Sequence, residues 1–183
     1  FYEASSYDQP LNAWNTSNVE TMEFMFWRAN NFNQPLDNWD TSNVRNMEAM
    51  FRGTSEANPH SFNQDISSWN TSHVLTMRRM FTDNQAFTQS IESWDVSKVN
   101  DMSNMFWGAT NFNQPLNQWD TRAVDTMADM FHDATSFNQP LDNWNTRRVD
   151  DMLGMFSGAS SFNQDLSAWC VEGIKSKPTD PYE

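Results

Sequence analysis

The chain has 183 residues, with 11 Lys plus Arg against 24 Asp plus Glu, a formal net charge of −13, and 14% aromatic residues. That acid excess leaves no basic footprint to displace phosphate counterions, which disfavours nucleic acid and, by the same sign, anionic membrane surfaces. No apolar run approaches the ~18 residues of a membrane span, while 9 Trp, 14 Phe and 12 Met supply enough apolar mass for a packed core instead of a disordered acidic tail.

Phe1, Ala4 and Tyr7 repeat the spacing of Phe26, Ala29 and Phe32, so the chain opens in mid-unit and reads as a fragment of a longer array. From there the pattern is a tandem repeat. Trp14, Trp39, Trp69, Trp94, Trp119, Trp144 and Trp169 mark seven copies, every interval being 25 residues except the 30 between Trp39 and Trp69. Each copy approximates F-N-Q-P-L-x-x-W-D-T-S-x-V-x-x-M-x-x-M-F-x-x-A. The Gln column runs unbroken from Gln9 to Gln164, and all 12 Met fall in the M-x-x-M pair.

The first half of a unit, such as Phe32-Asn33-Gln34-Pro35-Leu36, alternates in a way that predicts a short extended rung, although its prolines (Pro10, Pro35, Pro115, Pro140) limit regular sheet. The Asp-Thr-Ser or Asn-Thr-Ser triplet after the Trp reads as a hydrogen-bonding turn and helix cap, with Ser17 and Glu20 forming a capping box. In the second half, Val44, Met47, Met50, Phe51 and Thr54 form one stripe near a 3.6-residue period, which predicts a short amphipathic helix. The expected fold is therefore α/β: a right-handed solenoid of seven 25-residue leucine-rich-repeat-like coils, each a short extended rung plus a short helix. Rungs stacked at about 4.8 Å against helices at about 8 to 10 Å would curve the array with the extended edge concave.

The single disruption, an insertion of five residues within 53–61, contains Pro59 and reads as a loop bulging from one face. After Trp169 the pattern decays. Ile174 keeps the Val register, but no Met pair follows and Pro178 and Pro181 appear, so the domain is assigned to 1–174 with 175–183 as a terminal tail or cap remnant.

Written out in this way, the unit resembles the BspA-like leucine-rich-repeat surface proteins, in the variant described as a mycoplasma domain of unknown function and common in marine microbes. Phe32-Asn33-Gln34-Pro35-Leu36, Trp39-Asp40-Thr41-Ser42, Val44, Met47 and Met50-Phe51 carry the resemblance, which extends from Phe1 to about Ile174. It implies a secreted or surface-anchored protein used in adhesion or protein contacts, with no catalytic residues to carry over. Trp169-Cys170-Val171 and Lys177-Pro178-Thr179 are similar to the closing unit of secreted members, which implies that Cys170 pairs with a Cys beyond this chain; a buried, inert thiol is the other reading.

No residue set points to catalysis, a cofactor or a metal. The Met pairs suit soft-ion ligation, yet a Met pair on an apolar stripe is core filler. His60, His73 and His132 occupy unrelated positions and read as solvated. The Asp column (Asp40, Asp95, Asp120) alternates with Asn (Asn15, Asn70, Asn145), which suits a turn better than a calcium ligand.

Trp27 and Trp107 stand where other copies have Arg52, Thr82, His132 or Ser157, so the scaffold does not demand them and they are candidate interface anchors. Arg78 and Arg79 form a local basic pair on an acidic body and join the candidate binding surface, a solvated face being the other reading. Asn15 and Asn70 match the glycosylation sequon, although the capping turn explains the same triplet. The expected function is an extracellular or cell-surface scaffold for protein contact, adhesion or structural assembly, with other proteins or further copies stacked end to end as partners. An ice- or crystal-binding array displaying the Asn column (Asn33, Asn63, Asn113, Asn138, Asn163) is the alternative, and a carbohydrate-binding module is a further one.

Overall fold

The structure, a computed structural model, describes residues 1–175. Its units stack in sequence order, each bonded to the copy before and the copy after. Among the described residues there is no α-helix, and the only strand-like pairings are isolated bridges. The helix-plus-rung α/β solenoid expected from the sequence pattern is therefore incorrect. Every coil is a chain of tight turns.

The physical reason lies in the M-x-x-M-F-x-x-A segment. Two residues after each first Met the backbone enters the left-handed region: Phe24 at φ 54°, Ala49 at 52°, Arg79 at 56°, Asn104 at 59°, Asp129 at 53° and Gly154 at 62°. A single such residue ends a right-handed helix, and it is what the third position of a type II turn requires. A second left-handed column follows the Phe, at Arg28, Asp83, Gly108, Asp133 and Gly158.

The backbone bonds then divide into two sets. In one coil the N–H groups of Met102, Asn104, Phe106 and Gly108 donate to the carbonyls of Thr126, Ala128, Met130 and His132 in the next, at 3.1, 2.8, 2.9 and 2.8 Å. The intervening N–H groups of Met105, Trp107 and Ala109 close turns onto Met102, Asn104 and Phe106, at 3.2, 3.2 and 3.0 Å. Alternate peptides thus serve the coil and its neighbour, and the segment satisfies its polar groups without helix or sheet. One parallel bridge per coil (Thr21, Asn46, Thr76, Asp101, Thr126, Asp151) marks the start of this ladder.

Inside, the apolar columns pile into one spine. Phe26, Phe51, Phe81, Phe106 and Phe131 are fully buried and stack from coil to coil. A second column from Phe32 to Phe137 packs beside it, with the two rings of one coil 3.8 to 4.1 Å apart. Both Met of each pair lie in or against this core. A fully buried side chain of this size contributes about 1.5 to 3 kcal/mol, so a coil that cannot fold alone is held by its neighbours.

Side chains tie the coils together elsewhere. Trp39, Trp69, Trp94, Trp119, Trp144 and Trp169 each donate the indole N–H to the Leu or Ile carbonyl of the preceding coil at 2.9 to 3.1 Å. Thr16, Thr41, Thr71, Thr121 and Thr146 donate to the next coil's carbonyl at 2.9 to 3.1 Å. The Thr of the triplet therefore does not cap a helix. Asn and Asp at the head of the triplet do form the expected turn, as when Asp40 Oδ1 accepts from the Ser42 N–H at 3.0 Å.

In the extended Phe-Asn-Gln-Pro-Leu segment Pro cannot donate, and Asn side chains replace the backbone ladder. Asn33 Oδ1 accepts from the Asn63 N–H and from Gln64 Nε2, at 2.9 and 3.0 Å. The same arrangement recurs on Asn63, Asn113 and Asn138. The first Phe column spaces its rings 5.5 to 5.9 Å apart and the column beside this segment 6.0 to 6.4 Å. The premise of a concave extended edge goes with the helices. The direct ladder runs on the opposite, more tightly spaced side.

The expected tail over 175–183 lies, beyond Lys175, outside the described residues. Lys175 itself stays in register, its N–H donating to the Asp150 carbonyl at 2.9 Å.

Candidate functional site

The side chains that vary between copies sit on the outer side of the turn ladder. The position after the first core Phe gives one outward column: Tyr2, Trp27, Arg52, Thr82, Trp107, His132 and Ser157. Tyr2 packs edge-on against Trp27 at 5.0 Å, and the guanidinium groups of Arg28 and Arg52 lie 4.8 and 5.3 Å from the Trp27 ring centre. Trp107 rests against the His132 ring at 4.6 Å and is 36% exposed. Trp27 and Trp107 are three coils apart and do not touch, because Arg52 and Thr82 stand between them.

Between Arg52 and Trp107 the column drops to Thr82, and a cleft of about 270 Å³ opens there. Arg52, Arg79, Asp83, Trp107 and insertion residues 54–56 wall it, with Thr82 beneath. Thr82 donates its hydroxyl inward to the Asn104 carbonyl at 2.6 Å and is buried, so it serves as a floor.

The insertion is folded back and fixed. Ser55 and Asn58 pair across a tight turn, Asn30 Nδ2 donates to Thr54 Oγ1 and to the Asn58 carbonyl at 3.1 and 3.0 Å, and Gln85 Nε2 donates to the Glu56 carbonyl at 3.2 Å. At its root only a glycine fits: a Cβ on Gly53 would lie 2.6 Å from the Asp83 carbonyl oxygen.

His60, expected in solvent, is instead buried beneath the insertion. Its Nδ1 accepts from the Phe62 N–H at 3.1 Å and its Nε2 lies 3.0 Å from the Phe26 carbonyl, which makes Nε2 the protonated nitrogen. Burial pushes its pKa down to about 4, a shift the Phe26 hydrogen bond only partly opposes.

Four arginines converge on this face. Arg28 pairs with Glu3, and Arg78 stands 3.7 Å from Glu48. Among the described residues, neither Arg52 nor Arg79 has an acidic group within ion-pair distance. Burial, followed by the positive charge of Arg79, holds the Arg52 guanidinium below its usual range, and Arg52 Nε is buried without a hydrogen-bond partner. Burial raises the Asp83 carboxyl, against the pull of Arg52.

Of the residues singled out from the sequence, Arg79 and Trp107 meet in the cleft. Arg78 stands beside it, and Trp27 supports Arg52. Arg52, Thr82 and Asp83 were not in the candidate set; their signal was membership of the Trp27 column or the position next to it. Asn15 and Asn70 are exposed, with Oδ1 accepting from Ser17 and Ser72 within the turn. Cys170 is a half-buried free thiol whose carbonyl accepts from Thr146. No group of three His, Cys, Asp or Glu able to hold a metal occurs among the described residues, and no described helix is long and apolar enough to cross a membrane.

No curated protein and no solved structure matches the chain. The family described as Mycoplasma protein of unknown function, DUF285, matches it over residues 1–60, 56–129 and 80–179. These three segments overlap and together cover nearly every repeat, so the chain belongs to the DUF285 repeat family.

Proposed function

We propose that the chain is a secreted or cell-surface repeat scaffold that works by contact, in adhesion or structural assembly with other macromolecules, and not by catalysis. One observation carries this reading. From Trp39 onward the recurrent Phe, Trp, Leu, Met, Thr and Asn side chains are largely consumed by packing and coil-to-coil bonds, whereas the variable position after the core Phe lies along the turn ladder, exposed at Tyr2 and Trp107 and dropping to a buried Thr82 between Arg52 and Trp107. A stack built in this way holds its variable side chains at fixed spacing on a rigid support, the arrangement suited to recognition. The similarity of the unit to BspA-like surface proteins supports the same role.

An ice- or crystal-matching role is less well supported. The amide oxygens of Asn33, Asn63, Asn113 and Asn138 are already occupied by the next coil, so that column is a structural ladder more than a free lattice.

Display of the chain on a non-adherent bacterium tests the proposal. The displaying cells are expected to adhere to extracellular-matrix or biofilm-coated surfaces, and Trp27→Ala with Trp107→Ala to reduce that adhesion. Equal adhesion by displaying and bare cells would remove the proposal.

A further inference from the structure

We propose that the cleft between Trp107 and the Arg52–Arg79 pair binds an acidic sugar residue, a uronate or sulfate-bearing unit of a glycan. This deepens the contact-scaffold reading and rests on it for its biological setting, not for its chemistry.

The cleft exists because Thr82 is the one short side chain between a cation and an indole in the outward column, and its hydroxyl is turned inward. Trp107 gives one side of its ring to His132. Trp107 also lines the cleft beside Thr82, and among the described residues its one aromatic contact is His132. Trp27 is differently placed: the guanidinium groups of Arg28 and Arg52 lie over its ring and Tyr2 packs edge-on against it, so its contacts hold Arg52 at the cleft wall.

On a chain of net charge −13, Arg52 and Arg79 are a local exception. Among the described residues neither has a carboxylate within ion-pair distance, they repel one another, and Arg52 Nε is buried without an acceptor. An anionic oxygen in the cleft would pair with guanidinium N–H groups of the two arginines and relieve that repulsion. Planar guanidinium forks suit carboxylate and sulfate oxygens.

The remaining lining decides which anion. Asp83, Glu56 and the hydroxyls of Thr54 and Ser55 border the same space. A ligand that offered only carboxylates would meet Asp83 and Glu56 as like charges. A sugar acid carries its anion at one edge and hydroxyl donors around the ring, so it can meet the arginines and the carboxylates together, with its C–H face on the indole. At about 270 Å³ the space is just below the ~300 Å³ lower bound of ordinary ligand pockets, which suits one ring of a chain whose neighbours lie in solvent. The insertion, pinned by Asn30 and Gln85, gives the wall its rigidity.

Calorimetric titration of the purified 183-residue chain tests the assignment, using oligogalacturonate, a chondroitin sulfate oligosaccharide, maltohexaose and poly-L-glutamate. At least one of the two acidic oligosaccharides is expected to bind and to change Trp fluorescence, while maltohexaose and polyglutamate do not bind. Arg79→Gln and Trp107→Ala should each weaken that binding by about tenfold or more, the size of one lost charge-assisted or stacking contact. Arg122→Gln, remote from the cleft, should leave it unchanged, and matching unfolding midpoints would show that the variants are folded.

Absence of binding to both acidic oligosaccharides overturns the proposal, as does an equal loss in Arg122→Gln. Binding of polyglutamate at comparable affinity would assign the cleft to an acidic protein instead. Adhesion of displaying cells without glycan binding removes this assignment alone, whereas glycan binding without adhesion removes the scaffold reading and leaves the site.

Discussion

Gly154 separates a stack of turns from a stack of helices by the sign of one substitution. It lies in the Met152–Met155 turn at φ 62°, inside the stretch whose periodicity predicts a helix. In a helix interior, Gly→Ala stabilises by about 1 kcal/mol, because Ala loses less backbone entropy. In the left-handed region an L-residue costs roughly 1 to 2 kcal/mol. A Cβ here would also fall 2.2 Å from Asp129 Oδ1, a flexible group that has to move. The two structures therefore differ by about 2 to 3 kcal/mol in the effect of Gly154→Ala. Urea denaturation followed by Trp fluorescence reads this directly, and Asp129→Ala in the same background removes the steric part. A loss of about 1 to 2 kcal/mol that persists in the double variant is expected from the turn geometry. Stabilisation by Gly154→Ala would refute it.

Three further outcomes follow from the ties between coils. Trp94→Phe keeps most of the ring but removes the donor to the Ile66 carbonyl, and should destabilise by about 1 to 3 kcal/mol in the same assay. Val96 replaces the recurrent Thr, so Val96→Thr should gain a bond to the Asp120 carbonyl and about 0.5 to 1.5 kcal/mol, while Thr71→Val, which loses the bond to Asp95, should move the other way; no gain from the first with no loss from the second would discount this column. His60 is neutral when folded, with its pKa lowered to about 4 from 6.5. The unfolded chain thus takes up a proton that the folded chain refuses, and stability present above pH 6.5 should be lost, by roughly 3 kcal/mol, as pH falls toward about 4. In His60→Gln, stability should be lower at neutral pH and flat across that window; an unchanged slope would place the titration elsewhere.

The sequence made the core legible and misread the backbone that carries it. Trp, Phe, Leu and Met recur at one period, and Trp39, Trp69, Trp94, Trp119 and Trp144 of the recurrent column are nearly fully buried. The triplet turn and the insertion were equally plain. The pattern predicts a helix because a three-residue spacing serves two geometries: residues three apart share a helix face, and they also bracket an i to i+3 turn. The signal that separates them stands two residues after the first Met of a pair and two residues after the Phe that follows it. Asn104, Asp129 and Gly154 stand two residues after a Met, and Asp83, Gly108, Asp133 and Gly158 two after a Phe. Asn, Asp and Gly are the residues that tolerate a left-handed backbone, and their recurrence in two columns is a turn signature. Phe24, Ala49 and Arg79 adopt the same conformation without that tolerance, which hid the pattern in the early copies.

The candidate site was half legible. Trp27 and Trp107 stand out as departures from the repeat and Arg78 and Arg79 as a basic pair on an acidic chain, and Arg79 and Trp107 meet at the cleft. Which of them would meet depended on Thr82 being short and on Arg52 being drawn over Trp27, and both are matters of side-chain size across a stack. The unrelated repeat positions of the histidines give no sign that His60 is buried; the last residues of the insertion re-enter the core to restore the register at Phe62.

The hydrogen-bond ladder itself can be measured. Through-bond NMR couplings between amide nitrogens and carbonyl carbons identify each acceptor without reference to any coordinates. In a stack of turns the nitrogens of Met102, Asn104, Phe106 and Gly108 couple to the carbonyl carbons of Thr126, Ala128, Met130 and His132, in the neighbouring coil. Couplings from those nitrogens to carbonyls four residues earlier in the same coil would mean a helix, and would contradict the architecture at its base.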